Sequence, residues 1–312
     1  MAEQTRTGTE LPFENVLYFA DEASRQRWIS LRRQAQNRDR LSAFRGRELL
    51  AVNRNYLAVL SPRKSVLRLY STGGVYSDIP EVRSVRFSDT HRVCLHNNGQ
   101  ISADGSPGQH LSVRAATEIK SAEAIPNCTL LVSNGGTLIR RGIYPFPEAT
   151  LSWTDLRAVY ATAELLVAIR NDGSVLSADR TAPRPALSAS RLGGKAVSAA
   201  VCGGDAYILL ENGRVYDVVN DAPLREEGVV AAAAENGALL LLGQDGSVRT
   251  AAGRTDPVAS EVCAWRNVVL LAAGSGCVAA VDGDGRLHLA GETRRLNALR
   301  DADLQLGDFL LS

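Results

Sequence analysis

Eight arginines crowd into one short segment: Arg25, Arg27, Arg32, Arg33, Arg38, Arg40, Arg45 and Arg47, with only Asp39 against them. That stretch carries +7 in a chain whose net charge is +1, which leaves −6 for the remainder. A guanidinium presents a rigid fork of donors that suits carboxylates and phosphates. The segment therefore has two natural partners, an acidic protein surface (its own or another's) or a nucleic acid. Aromatic side chains do not interleave with the arginines, which weighs against the nucleic acid. Arg25, Arg32, Arg33 and Arg40 are the residues expected to reach such a partner.

Other chemistry is sparse. The histidines are His91, His96, His110 and His288; His96 and His288 lie beside hairpin turns of different repeat units, and His91 and His110 lie near loops. They read as unrelated surface or strand residues rather than a metal or catalytic pair. Asp282-Gly283-Asp284-Gly285 has the look of a calcium loop but lacks its further ligands and closing glutamate. The five cysteines, Cys94, Cys128, Cys202, Cys263 and Cys277, form no CxxC pair and mostly sit beside Val, Leu or Ala. They are expected to be reduced core thiols, and no metal site or cofactor is expected. No GxSxG elbow, HExxH pair or phosphate-binding glycine loop occurs, so no enzyme is expected either.

These residues need elements to hold them. Asp21 and Glu22 stand where the positive end of a helix favours acids, and Trp28, Leu31 and Ala35 follow at helical spacing. The spacing predicts a helix near residues 21–45, docked through that apolar side onto the acidic body of the protein. From there on the pattern changes to apolar strand, tight turn and apolar strand, returning again and again. Examples are VCLHNNGQISADG from Val93, LVAIRNDGSVLSAD from Leu166 and VAAVDGDGRLHLAG from Val278. LAVLSPRKSVLRLY from Leu57 is a weaker copy in which Pro62-Arg63-Lys64 replaces the turn.

The turns carry Asn-Gly or Asp-Gly pairs, which supply the positive φ of a type I′ hairpin. Their glycines are Gly99, Gly136, Gly173, Gly213, Gly246 and Gly285, spaced 33 to 40 residues apart. A period near 40 with short strands means propeller blades. A further run rich in Ala and Val precedes each hairpin, such as VVAAAA from Val229. Its small side chains suit the crowded strand nearest a propeller axis. Stretches such as RTAPRPALSASRLGG from Arg180 read as surface connections.

The C-terminal ALRDADLQLGDFLLS looks like two strands lacking a hairpin, and ENVLYFA from Glu14 looks like an orphan third strand. Pairing them would close the ring without an open edge. The expected fold is therefore all-β: a single propeller of seven or eight blades with the N-terminal helix. Residues 1–47 would hold the N-terminal strand and arginine-rich helix, and residues 48–312 the blades.

The repeat resembles the regulator-of-chromosome-condensation family, most clearly over VVLLAAGSGCVAAVDGDGRLHLAG from Val268. The family's Gly-Gly-x-His survives here only as fragments such as Gly203-Gly204. Its Trp-Gly is replaced by Asp104-Gly105, Arg141-Gly142 or Ala290-Gly291. The resemblance implies a propeller used as a protein-interaction platform, without assigning a functional residue to any position.

The function expected from these features is a non-catalytic binding scaffold for a macromolecule, most naturally a protein. It would use propeller loops together with the arginines, and Tyr76, Tyr144 and Trp153 are the aromatic candidates. Two alternatives stand beside it: a nucleic-acid-associated module working through the arginine-rich helix, and a propeller enzyme with a site in the channel. Without a signal-peptide pattern or a membrane-length apolar run, a cytoplasmic monomer is expected.

Overall fold

The computed structural model describes residues 21–72, 74–105, 116–235, 237–251, 257–293 and 296–312. Within them the chain forms seven antiparallel sheets, arranged as the blades of a β-propeller. Blade 1 holds β1 (Leu50–Val52), β2 (Leu57–Ser61), β3 (Val66–Ser71) and β4 (Gly74–Ile79). Blade 2 holds β5 (Val82–Phe87), β6 (His91–His96) and β7 (Ile101–Gly105). Blade 3 holds β8 (Ile119–Ile125), β9 (Cys128–Ser133) and β10 (Leu138–Gly142). Blade 4 holds β11 (Leu156–Ala161), β12 (Leu165–Arg170) and β13 (Val175–Asp179). Blade 5 holds β14 (Ala196–Cys202), β15 (Asp205–Leu210), β16 (Val215–Asp217) and the short β17 (Ala222–Pro223). Blade 6 holds β18 (Val229–Glu235), β19 (Ala238–Gly243) and β20 (Val248–Thr250). Blade 7 holds β21 (Val268–Gly274), β22 (Cys277–Asp282) and β23 (Leu287–Gly291). First strands neighbour one another around the ring, and β21 returns to β1.

The second strand of each blade is largely buried because it packs between two neighbouring blades. Thus β12, LLVAIR, and β22, CVAAVD, are buried along almost their whole length. In blades 2 to 7 the first strand bulges one residue after its start, as at Leu156/Ala158 and Val268/Leu270. The bulge re-aims the rest of that strand toward the axis.

The hairpin glycines all take positive φ, from 76° at Gly99 and Gly213 to 84° at Gly173. The expected type I′ turn is nevertheless corrected. Asn98, Asp172, Asn212 and Asp245 keep negative φ, so only the third loop residue is left-handed. Gly99 N–H donates to His96 O, and His96 N–H donates to Gln100 O, which is a type I turn closed by a glycine bulge. The Asn or Asp side chain decides the matter by accepting the amide two residues on, as Asp172 Oδ1 does from Ser174 N at 2.8 Å. In blade 1, Ser65 at φ 53° takes the glycine's place.

Each hairpin also ties its blade to the next. The carbonyls of Ser65, Gly99, Gly136, Gly173, Gly213 and Gly246 accept the amides of Val82, Ile119, Leu156, Ala196, Val229 and Val268. These bonds run from the turn of one blade to the first residue of the following blade.

The predicted helix is α1, Glu22–Ser42, capped by Asp21, whose side chain accepts from Ser24 N. Helix is not confined there, as the sequence had suggested. Short helices α2 (Ala189–Leu192), α3 (Pro257–Cys263), α4 (Asn297–Asp301) and α5 (Gly307–Leu311) also form. The C-terminal segment is thus helical and supplies no strands, so the split eighth blade is not built from it. Leu299, Leu306, Leu310 and Leu311 pack with Leu41, Phe44 and the apolar faces of blades 1 and 7 in one core. The residues ENVLYFA, expected as a closing strand, lie outside the described residues.

Candidate functional site

The first strands line a central channel with a cavity of about 650 Å³, a volume common for small-molecule sites. Register makes its walls unequal. The fifth residue of the first strand is Arg86, Glu123 and Tyr160 in blades 2, 3 and 4, but Ala200, Ala233 and Ala272 in blades 5, 6 and 7. One side of the channel is charged and hydrogen-bonding, and the other is methyl-lined.

Arg86 is the hub of the charged side. Its Nη2 donates to Glu48 Oε2, its Nε lies 3.5 Å from Glu123 Oε2, and its Nη1 donates to Val85 O at 3.2 Å. Glu123 Oε1 accepts its neighbour's amide, Ala124 N, at 2.9 Å. The Tyr160 ring lies 6.0 Å from the Arg86 guanidinium carbon. Glu48 stands two residues before β1, with nearly half its side-chain surface open to the channel.

The charges sort by surroundings. Arg86 holds the Glu48 carboxyl below its ordinary value against the opposing effect of burial. Burial pushes the Glu123 carboxyl up to about 7, with Arg86 only partly offsetting it. Burial raises the Tyr160 phenol, and the Glu48 charge adds to that rise. Arg86 stays cationic, held so chiefly by Glu48. Near neutral pH, Glu123 is therefore poised between its two protonation states.

At one mouth of the channel stand Asp89 and Glu235. Ser275 Oγ donates to Asp89 Oδ1 at 2.9 Å, and Gly276 N donates to Glu235 Oε1 at 2.8 Å. These bonds link blade 7 to blades 2 and 6.

The described histidines do not converge: His91 and His96 stand at the two ends of β6, and His288 is on β23. His91 is buried between blades 2 and 3. Its Nδ1 lies 2.9 Å from Ser88 Oγ and its Nε2 2.8 Å from Thr129 Oγ1, and burial holds it down to about 4. His96 bonds Ser102 within blade 2, and His288 bonds Asp282 at 2.9 Å in blade 7. His110 lies outside the described residues. Asp282 Oδ1 accepts the amides of Asp284 and Arg286, and Asp284 pairs with Arg38. The calcium-like sequence is thus a hairpin whose carboxylates already have partners. Among the described residues no three His, Cys, Asp or Glu side chains converge as a metal site needs. Cys94, Cys128 and Cys277 are buried thiols, and Cys202 and Cys263 are half-buried.

The arginine segment divides in two. Its C-terminal half anchors: Arg38 pairs with Asp284, Arg40 Nη2 donates to Leu311 O at 3.2 Å, and Arg45 donates to Gln244 O and Val268 O. Gly46 N–H also bonds Val269 O at 3.2 Å. Its N-terminal half projects. Arg25 pairs with Glu22 at 3.3 Å, Arg32 lies over the Trp28 ring at 5.3 Å, and Arg33 is exposed. Leu31 is 57% exposed and Ile29 40%. The expected docking through Leu31 and Ala35 is therefore corrected, since both are exposed, while Trp28 is half-buried. Leu41 and Phe44 dock instead, because the helix meets the ring with its last turn and not along its side.

Of the aromatic candidates, Tyr76 is 61% exposed on β4 and packs at 5.8 Å from Tyr56. Tyr144 and Trp153 are half-buried against the blade 3–4 core. The Tyr144 hydroxyl bonds Thr150, and its ring meets Phe146 edge-on at 5.5 Å. The structure does not bring these aromatics together with the arginines. Glu48, Arg86, Glu123 and Tyr160 were missed in the sequence. For Arg86, Glu123 and Tyr160 the signal was a break in the small-residue pattern at one register position, legible only once the first strands are aligned.

No protein-family model matches the chain, and no curated protein matches it. Among solved structures, the CRINKLY WD40 ectodomain of the Arabidopsis thaliana receptor kinase ACR4 is similar at 14% identity and a TM-score of 0.54. That match covers 78% of this chain and 94% of the other. The computationally designed Ika8 protein matches at 16% identity and a TM-score of 0.51, over 78% of this chain and 83% of its own. BBS1N, solved in complex with ARL6DN, matches at 12% identity and a TM-score of 0.50, over 77% and 88%. At these identities the likeness is one of fold: the chain is a β-propeller, with seven blades in its described residues.

Proposed function

We propose that this protein is a non-catalytic scaffold that binds an acidic protein partner through the projecting half of α1, with the rigid ring as its support. The observation that carries this reading is the exposure of Ile29 and Leu31 among arginines on a helix anchored by its other end. Apolar anchors ringed by guanidinium groups make a contact surface in which burial supplies affinity and charge supplies orientation. One propeller neighbour, BBS1N, was itself solved as a complex. The hairpin-centred repeat also supports kinship with the regulator-of-chromosome-condensation family, whose propellers serve as interaction platforms.

A photo-crosslinking residue placed at Leu31, followed by mass spectrometry and direct binding of the purified partner, tests the reading. A protein with an acidic surface should be captured there, and Leu31→Glu should weaken its binding at least about tenfold. Tight binding of DNA or RNA at physiological salt, abolished by Arg32→Glu with Arg33→Glu, would replace the protein with a nucleic acid.

A further inference from the structure

The channel group Glu48, Arg86 and Glu123, of which only Glu123 is fully buried, contains two carboxylates and one guanidinium, so it is one positive charge short. Buried charges are stable only when paired. Without a ligand, the deficit is met by a proton on Glu123, whose environment favours the neutral acid. The shortfall lies inside a cavity, beside free channel volume and opposite a wall of Ala200, Ala233 and Ala272. Glu235 stands two residues further along its strand than Glu123 does along its own, roughly 7 Å at strand rise, and Asp89 lies two residues past the end of β5.

We propose that the channel binds a linear aliphatic polyamine, one ammonium lying between Glu123 and Glu48 and another reaching Glu235 and Asp89. The methylene chain would lie along the alanine wall, where a polar ligand would gain nothing. Arg86 keeps the two inner carboxylates apart and oriented, so that a cation completes the set instead of collapsing it. Binding expels the proton from Glu123, since the ligand's charge replaces it. This inference concerns the channel alone and does not depend on what α1 binds.

Calorimetric titration of the full chain with spermidine near neutral pH and low salt is the test. One spermidine should bind per chain, with release of protons revealed by comparing two buffers of different ionisation enthalpy. Glu123→Gln and Glu235→Gln should each weaken binding at least about tenfold, and butylamine should bind at least about tenfold more weakly than spermidine. Glu227→Gln, which alters an exposed carboxylate paired with Arg214 outside the channel, should leave affinity unchanged. If Glu123→Gln melts far below the wild type, Glu235→Gln and Asp89→Asn at the mouth decide the question. Failure of spermidine to bind, or an equal loss in the Glu227→Gln protein, would overturn the proposal.

Discussion

The carbonyl of Gly285 accepts the amide hydrogen of Leu306 at 2.7 Å. This is the same bond by which every earlier hairpin holds the first residue of the following blade. After blade 7 the chain thus enters the slot of another first strand, then turns into α5 and packs beside α1 and blade 1. The seam between the last and first blades is closed by side chains and a helix where the other junctions have a continuous chain.

Leu310 is fully buried in that seam. Leu310→Ala should cost about 2–5 kcal/mol in chemical denaturation. Deleting residues 302–312 should expose the apolar seam, giving a large loss of stability and self-association visible by light scattering. A truncated chain that stays monomeric with unchanged melting would show that the seam holds without α5.

Hairpin glycines answer to two demands, and one comparison separates them. Gly193 has φ 80° with open space around it, so Gly193→Val adds only backbone strain, about 1–2 kcal/mol. A Cβ on Gly173 would meet Lys195 Cβ at 2.5 Å, and one on Gly246 would meet Asn267 Cα at 3.0 Å. Gly173→Val and Gly246→Val should therefore cost more, roughly 2–5 kcal/mol, because the next blade must also shift. Thermal or denaturant unfolding of the three variants gives the ordering.

Stability should carry the signature of Glu123. Its folded value, about 7, lies above the 4.5 of an unperturbed carboxyl. The folded chain therefore holds a proton that the unfolded chain gives up. Its contribution is full below pH 4.5 and declines as pH rises to about 7. The stability of the wild type relative to Glu123→Gln should fall across that window, by an amount on the order of 1–3 kcal/mol, because glutamine does not titrate. His91, held down to about 4, works in the opposite sense, and its contribution fades as pH falls below 6.5. Measuring each variant against the wild type keeps the two effects apart.

Within α1, position decides the phenotype. Leu41 is buried at the anchored end, and Leu31 is exposed at the projecting end. Leu41→Ala should cost about 2–5 kcal/mol. Leu31→Glu should shift stability by less than about 0.5 kcal/mol while weakening partner binding. Equal destabilisation by both would mean that the projecting half is a structural element of the fold.

How much of this was legible beforehand depended on the range of the interactions. Gly99, Gly173 and Gly246 announced their turns because the signal is local, though side-chain capping by Asn98, Asp172 and Asp245 altered the turn type. All seven hairpins could be counted, including the blade-1 copy in which Ser65 adopts the glycine's conformation. The segment ALRDADLQLGDFLLS looked like two strands, and within it Leu306 does make a strand-start bond, to Gly285. Its helix depends on packing against Leu41 and blade 1, which no local pattern encodes. Leu31 and Ala35 gave α1 a plausible apolar side, but spacing cannot show which end of a helix meets its support. The channel group was the least visible, since Glu48, Arg86, Glu123 and Tyr160 come from separate stretches of chain and meet only around the axis.

Blade-to-blade bonds that run through main-chain atoms also make the unit transferable. What one blade offers its successor is a carbonyl on a left-handed residue, and what it requires of its predecessor is the same. Neither depends on the side chains of the strands between, so a segment from one strand entry to the next is a cassette with matching ends. Copying such a cassette, or removing one, would leave every remaining junction chemically intact and change only the circumference that the ring must close. The single asymmetric junction at Gly285 and Leu306 is where such a change in circumference would have to be absorbed.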